Sequence, residues 1–99
     1  MAQHTQLEAA DGHKFDAYIA QPTGEPKAGI VVIQEIFGVT AHIRSVADGF
    51  AQAGYLTIAP ALFDRAERNF DVKADPESMK KGMQLVRQIP PEKTLADID

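Results

Sequence analysis

Residues 29–38 read GIVVIQEIFG, and the run 29–33 at their start is apolar and β-branched without alternation. This pattern is typical of a strand that is buried on both faces of a parallel sheet. The strand leads into residues 34–38, and a helix should follow from Thr40, a suitable N-cap, to Ala53. We therefore predict an α/β architecture in which a mostly parallel sheet, with helices on its faces, begins at this strand.

The predicted helix and the next strand complete a βαβ unit. Gly54 follows the helix at the position where glycine commonly ends one. Residues 55–59 are predicted to form a second buried strand, which Pro60 stops, and the crossover should be right-handed. The apolar residues of the helix fall on one stripe and are Ile43, Val46, Ala47, Phe50 and Ala51.

An antiparallel β-hairpin is predicted before this unit. A loose period-2 pattern covers residues 4–10, and Asp11-Gly12 is a strong turn signal because both residues tolerate a positive φ. Residues 14–20 then alternate, and we expect one face of the hairpin to be solvated. The apolar face of this return strand consists of Phe15, Ala17 and Ile19.

Two helices are predicted after the second buried strand. Residues 64–75 are polar and are expected to form loop, and Asp75 and Pro76 then provide an N-cap and a proline at the first helical position. The predicted apolar stripes are Met79, Met83 and Val86 in the first helix, and Leu95 and Ile98 in a last helix that starts at Pro91. The sequence stops within this last element, so residues 1–99 are expected to form a single incomplete domain.

The composition is that of a globular protein and excludes several classes. The 99 residues carry a net charge of −4, which disfavours a nucleic-acid-binding surface, and no apolar run approaches the roughly 18 residues of a membrane span. The absence of cysteine excludes disulfides, thiolate metal sites and a cysteine nucleophile within these residues. We expect a cytoplasmic protein without a metal, a cofactor, a nucleic-acid partner or a membrane partner.

Glu35 is the first candidate for a functional side chain. It lies at the carboxyl end of the first buried strand, where open α/β sheets bind ligands, and a partly desolvated carboxylate there suits base chemistry. The alternative is a strand-end carboxylate that is solvated or paired with a nearby Lys or Arg. The loop after Glu35 could direct backbone N–H groups at an oxyanion, or could be no more than a tight connection. Phe37 is then either core, the more common case, or the wall of a pocket.

Other motifs offer little support for a particular chemistry. His4, His13 and His42 show no metal-ligand spacing. The sequence contains no G-x-S-x-G, no G-x-G-x-x-G and no P-loop, so a nucleotide site has no motif support.

Four segments carry a resemblance to a known family: Asp11-Gly12, QEIFG at residues 34–38, Gly54-Tyr55, and PALF at residues 60–63. In this order they resemble the N-terminal part of the dienelactone hydrolase (carboxymethylenebutenolidase) family, within the α/β-hydrolase fold. The QEIFG segment is the most specific of them. The resemblance runs over essentially the whole chain, but covers only about the first two fifths of a typical family member.

The resemblance implies roles for three consecutive residues. Glu35 would interact with the nucleophile and activate it when substrate binds, the backbone N–H of Ile36 would belong to the oxyanion hole, and Phe37 would line the substrate pocket. The nucleophile of a G-x-C-x-G elbow, and the Asp and His that follow in chain order, would come from beyond Asp99.

The family also uses an Arg early in the helix after the polar loop to hold a substrate carboxylate. The matching region here, residues 78–81, contains lysines instead, and Lys81 is the candidate for this role. Lys acts as a point charge and lacks the bidentate geometry of Arg, so the family's usual substrate is in question, although hydrolysis of some ester or lactone is not.

Two main hypotheses follow. In the first, these residues are the N-terminal part of an enzyme that hydrolyses a small-molecule ester or lactone by nucleophilic acyl transfer. In the second, the chain is a catalytically inert fragment or a small binding module. By the resemblance its strand order would be 1-2-4-3, and the unpaired apolar edge at residues 30–33 would promote self-association. A flavodoxin-like module that binds FMN or a nucleotide is a third reading, which the hairpin and the cut-off last helix fit poorly.

Overall fold

A computed structural model describes residues 2–73 and 75–98 and contains one four-stranded sheet. The strands are β1 (Ala2–Glu8), β2 (Lys14–Ala20), β3 (Gly29–Val31) and β4 (Leu56–Pro60), and they lie in the order β1-β2-β4-β3. The helices are α1 (Ala41–Gln52), a 3-10 helix (Leu62–Arg65), α2 (Pro76–Gln88) and α3 (Pro91–Ile98). The strand order and the element types confirm the predicted α/β architecture. The sheet of the described residues is mixed, since of its three strand pairings only that of β3 with β4 is parallel.

The predicted hairpin is present, but the expectation of a solvated face is wrong for its second strand. β1 and β2 pair antiparallel, and Gly12 takes a φ of +88° in the turn that joins them. Phe15 and Ala17 are buried on one side of β2, whereas Tyr18 and Ala20 are buried on the other, against α1. Within the sheet β2 lies between β1 and β4, so both of its edges are paired as well.

The βαβ unit is confirmed by the parallel pairing of β3 with β4. The Thr40 hydroxyl caps α1 by accepting from the backbone N–H of Ile43 at 3.4 Å. Gly54 follows the helix with a φ of +103°, a conformation that favours glycine. The side chains through which α1 packs on the sheet are those of Ile43, Ala47 and Ala51.

The burial predicted for the first strand of this unit is not observed. β3 is only three residues long and forms the edge of the sheet, and Val31 and Ile33 are 47% and 49% exposed. Val32 packs on the α1 side, so its two neighbours face the opposite side of the sheet, where at this edge they stay about half exposed. At the other end of the unit, Pro60 was predicted to follow the strand. It is instead the last residue of β4, where it lies opposite Ala17.

The positions of α2 and α3 are confirmed, and Asp75 caps α2 by accepting from the Ser78 N–H at 2.7 Å. Their predicted apolar stripes are wrong. Met79, Met83 and Val86 are 44–52% exposed and Leu95 is 66% exposed, whereas Ile98 is half-buried. In α2 the buried residues are Gly82 and Leu85, and Leu85 packs in a second core with Phe63, Phe70 and Ile89. The helix therefore uses a face adjacent to the one predicted.

A 3-10 helix overlaps the first two residues of the segment predicted as loop, and it is tied to β2. The Ala61 N–H donates to the Asp16 carbonyl at 2.8 Å, and the Asp16 N–H donates to the Asp64 carboxylate at 2.7 Å. Asp64 is buried, and this burial raises the pKa of its carboxyl group. These bonds fix the 3-10 helix beside the sheet.

An ion-pair network joins the hairpin turn to α3. The Arg65 guanidinium donates two hydrogen bonds to Asp97, at 2.7 and 2.9 Å, and one to Asp11 at 3.1 Å. Lys93 donates to the other oxygen of Asp11 at 3.0 Å. The side chain of Asp97 has no exposed area, so α3 turns this carboxylate inward, although the predicted apolar positions of the helix were Leu95 and Ile98.

Two close backbone contacts hold the turn that follows β3. A Cβ atom placed on Gly38 would overlap the carbonyl oxygen of Phe70, and Gly38 also has a φ of +93°. A Cβ atom on Gly82 of α2 would overlap the carbonyl oxygen of Ile36. The turn therefore lies between the segment near Phe70 and the face of α2.

We predict that Gly38→Ala destabilises the chain by about 2 kcal/mol or more, because the new methyl group meets backbone at a positive φ. The control is Gly49→Ala in α1, where no atom lies within 4 Å of the added Cβ. This change should stabilise the chain by about 0.5–1 kcal/mol. Urea unfolding followed by circular dichroism measures both, and equal stability of the two variants would contradict the assigned contact.

We also predict that Asp11 contributes to the acid sensitivity of the fold. Arg65 first, and then Lys93, hold the pKa of the Asp11 carboxyl well below its usual range. Its contribution to stability is therefore complete above the unfolded-state pKa of about 4, and is lost as the pH falls below it. Free energies of unfolding should differ between wild type and Asp11→Asn by a constant amount at neutral pH and converge below about pH 4. Glu25→Gln, at an exposed loop residue, should show no such convergence.

Candidate functional site

The candidate site is the tight turn at residues 35–38, which lies beyond the carboxyl end of β3. The Gly38 N–H donates to the Glu35 carbonyl at 3.0 Å and closes the turn. The Glu35 side chain is exposed and forms no ion pair with any residue in 2–73 or 75–98. The expected partial desolvation is therefore absent in this chain, because β3 is an edge strand and the described elements leave this end of it open.

The backbone of the turn presents an unused donor next to this carboxylate. The Ile36 N–H has no hydrogen-bond acceptor among the described residues. The Ile36 residue itself is half-buried, and its carbonyl packs against Gly82 of α2. An N–H that is held in place without an internal acceptor can bind an oxyanion from another molecule or segment.

Phe37 and Glu35 line the same cleft, which has a volume of about 490 Å³. Phe37 is half-buried, and its carbonyl accepts from the Val72 N–H at 3.2 Å. The cleft is completed by the start of α1, at residues 40–42, and by the segment 71–73. It thus combines a carboxylate, an aromatic wall and several polar groups.

Residues 71–73 reach the cleft because the chain folds back on the turn. Asp71 forms an isolated bridge with Gly38 and an ion pair with Arg44 of α1 at 3.1 Å. The Lys73 side chain, which is exposed, also lines the cleft. Sequence reasoning missed these residues, because the polar segment 64–75 has no periodicity that could reveal where it folds.

Lys81, the predicted substrate-binding cation, does not line this cleft. Its ammonium group pairs with Glu67 at 3.3 Å, and both side chains are about half exposed. The described structure therefore places Glu35 and Phe37 on one cleft, with Ile36 between them in the chain, and leaves Lys81 outside that cleft. The cation that lines the cleft is Lys73.

Gln34 connects the turn to the 3-10 helix. Its side-chain oxygen accepts from the Leu62 N–H at 2.8 Å, and its side-chain nitrogen donates to the Glu35 carbonyl at 3.2 Å. The sequence singled out Gln34 as part of the QEIFG segment without a role of its own. No signal in a single sequence shows that a glutamine bridges two segments 28 residues apart.

Neither a metal-binding cluster nor a membrane-spanning helix is found in the described part of the chain. No three His, Asp or Glu residues within 2–73 and 75–98 are grouped in a way that could hold a metal ion. None of the helices in these ranges has the length and apolar character needed to cross a membrane.

Comparison with known proteins gives the relationship of the chain. The model of the dienelactone hydrolase family matches residues 15–99. A protein of Synechocystis sp. that carries the provisional name carboxymethylenebutenolidase is 39% identical over 83 residues, which are 83% of this chain and 34% of that protein. A protein of Escherichia coli strain K12 with the same provisional name is 39% identical over 92 residues, which are 91% of this chain and 33% of that protein. The chain thus spans about a third of the length of these curated relatives.

A solved structure supports the same relationship. The crystal structure of a protein from Klebsiella pneumoniae, provisionally named dienelactone hydrolase, is 34% identical with a TM-score of 0.76. The match covers 100% of this chain and 41% of that one, so the fold seen here is a part of an α/β-hydrolase fold. Because the family model matches nearly the whole chain, and the turn at residues 35–38 lies within the match, this chain belongs to the dienelactone hydrolase family.

Proposed function

We propose that this chain is the N-terminal part of an enzyme that hydrolyses a small-molecule ester or lactone by nucleophilic acyl transfer. The observation that carries the proposal is the Ile36 N–H, which has no acceptor among the described residues and lies on an anchored turn beside the exposed Glu35 carboxylate. Family membership supports the same reaction class.

In the proposed mechanism a Cys or Ser from beyond Asp99 transfers its proton to the histidine of the triad and attacks the carbonyl carbon of the substrate. The carbonyl oxygen becomes negative and accepts hydrogen bonds from the Ile36 N–H and from the N–H after the nucleophile. The carbon–oxygen bond to the leaving alcohol then breaks, and this alkoxide takes a proton from the histidine of the triad. Water, deprotonated by that histidine, then attacks the acyl group. The bond between the acyl carbon and the nucleophile breaks, the histidine returns the proton to the nucleophile, and the acid is released.

Each of the predicted residues has a place in this scheme. Glu35 activates the nucleophile. Its carboxylate lines the cleft and forms no ion pair with another described residue, so it is available for this interaction. Phe37 forms an apolar wall for the substrate. Lys81 would hold a substrate carboxylate only after exchanging Glu67 for it, because the two are paired at 3.3 Å.

A second candidate is a stand-alone chain without catalysis that self-associates. It is supported by the unpaired edge of β3 and by the exposed side chains of Val31 and Ile33, since an apolar edge strand is a template for pairing with another chain. In either case we propose a cytoplasmic protein, and the net charge of −4 disfavours a nucleic-acid partner.

The first proposal is tested by intact mass and by kinetics. If the purified protein has a mass well above 10.8 kDa, we expect that species to hydrolyse p-nitrophenyl acetate and dihydrocoumarin. In it, Glu35→Gln should lower turnover by about 100-fold, because a positioned carboxylate is lost while the exposed site leaves folding intact. Glu25→Gln is the matched control. Unchanged turnover in Glu35→Gln would refute the role of this carboxylate.

The second candidate is tested by light scattering of the 99-residue chain at high concentration. We expect a dimer or larger species, and Val31→Lys combined with Ile33→Lys should restore a monomer because lysine blocks edge pairing. Phe50→Lys is the control, since Phe50 is also exposed but lies on α1, which covers the other face of the sheet. A monodisperse wild-type monomer would exclude self-association through β3.

A further inference from the structure

The side chain of Gln34 forms hydrogen bonds with two backbone groups, and no other described side chain forms a hydrogen bond with either of them. Leu62 is the first residue of the 3-10 helix, where a backbone N–H lacks a partner inside the helix, and Gln34 accepts from it at 2.8 Å. The amide nitrogen of the same side chain donates to the Glu35 carbonyl at 3.2 Å. The glutamine therefore accepts from the otherwise unpaired Leu62 N–H and, through its own amide nitrogen, donates to a carbonyl of the turn.

The Glu35 carbonyl belongs to the same peptide group as the Ile36 N–H. This peptide is trans, so it is planar and its C=O and N–H bonds point in opposite directions. The carbonyl oxygen accepts from Gly38 at 3.0 Å and from Gln34 at 3.2 Å. Two donors on one oxygen restrict rotation of the peptide plane, and this fixes the direction of the Ile36 N–H.

We propose that Gln34 is the positioning residue of the oxyanion donor, setting the direction of the Ile36 N–H by holding the Glu35 carbonyl. This inference rests on the proposed function, in which that N–H stabilises the oxyanion. The same side chain ties the donor to the 3-10 helix through Leu62.

The other contacts of the turn act on different peptide groups. The Val72 N–H holds the Phe37 carbonyl at 3.2 Å, and Gly82 packs against the Ile36 carbonyl. Gly38 shares the Glu35 carbonyl with Gln34, but it lies within the turn and moves with it. Gln34 is thus the side chain that links this peptide group to the 3-10 helix, an element outside the turn.

Two substitutions separate the two hydrogen bonds of Gln34. Gln34→Met removes both of them. Gln34→Glu keeps an oxygen that can accept from Leu62 and removes the N–H that donates to Glu35. Gln52→Met is the control, because Gln52 is exposed on α1.

The first test uses NMR of the 99-residue chain, with amide hydrogen exchange at Leu62 and the one-bond N–H residual dipolar coupling at Ile36. In Gln34→Met we expect exchange at Leu62 to accelerate about fivefold and the Ile36 coupling to change. In Gln34→Glu we expect exchange at Leu62 to stay within about twofold of wild type, while the Ile36 coupling changes as it does with Met. If Gln34→Met unfolds the chain, Gln34→Glu carries the test alone.

An Ile36 coupling in Gln34→Glu that equals the wild-type and Gln52→Met values would overturn the proposal, because Gln34 would then only cap the 3-10 helix. A second test uses the longer hydrolase, if intact mass shows one. There Gln34→Glu should lower kcat more than about tenfold and leave KM within about twofold, since the interaction is made with the transition state. A change in KM alone would also overturn it. An inactive wild-type hydrolase would instead refute the proposed function. The residual dipolar coupling of Ile36 would still test whether Gln34 sets the direction of its N–H.

Discussion

Strand β4 makes hydrogen bonds along both of its edges and joins the hairpin to β3 within the sheet. It pairs antiparallel with β2 and parallel with β3, so five residues connect the hairpin to the βαβ unit. Thr57 and Ala59 are fully buried in this strand, and Ala59 packs with Ala47 and Ala51 of α1. Small side chains at this contact let the helix lie close to the sheet, so a larger residue at any of them would push α1 away from β4.

The position of the candidate site follows from this arrangement. The parallel pairing of β3 with β4 places residues 34–38 at the carboxyl end of β3, and the 3-10 helix follows β4 at the same end of the sheet. Gln34 can reach Leu62 because the two strands end side by side. The site thus lies where β3 and β4 end side by side, with α2 packed on one side of it and the segment around Phe70 on the other.

Local features of the structure could be predicted from the sequence, because short-range chemistry determines them. The Thr40 and Asp75 caps, the turn at Gly12 and the βαβ order all depend on residues close together in the chain. The same is true of Glu35 at a strand end. The exposure of Val31, Met83 and Leu95 could not be predicted, since periodicity shows which face is apolar but not whether a neighbour covers it. The chain spans about a third of the length of its relatives. These three side chains lie on faces against which further elements of a complete fold could pack.

The ion pairs of Arg65 also bear on how the two ends of the chain open. A helix of eight residues such as α3 is marginal on its own, and terminal helices commonly fray without disturbing the rest of a domain. Here fraying of α3 must separate Asp97 from Arg65 and Lys93 from Asp11, and it leaves Asp11, in the turn between β1 and β2, with Arg65 as its remaining cation. The state of the last helix therefore changes the ion pairs of the first turn, although more than 80 residues separate Asp11 from Lys93. Amides of the hairpin turn should then be less protected from exchange with solvent when α3 is frayed than when it is docked.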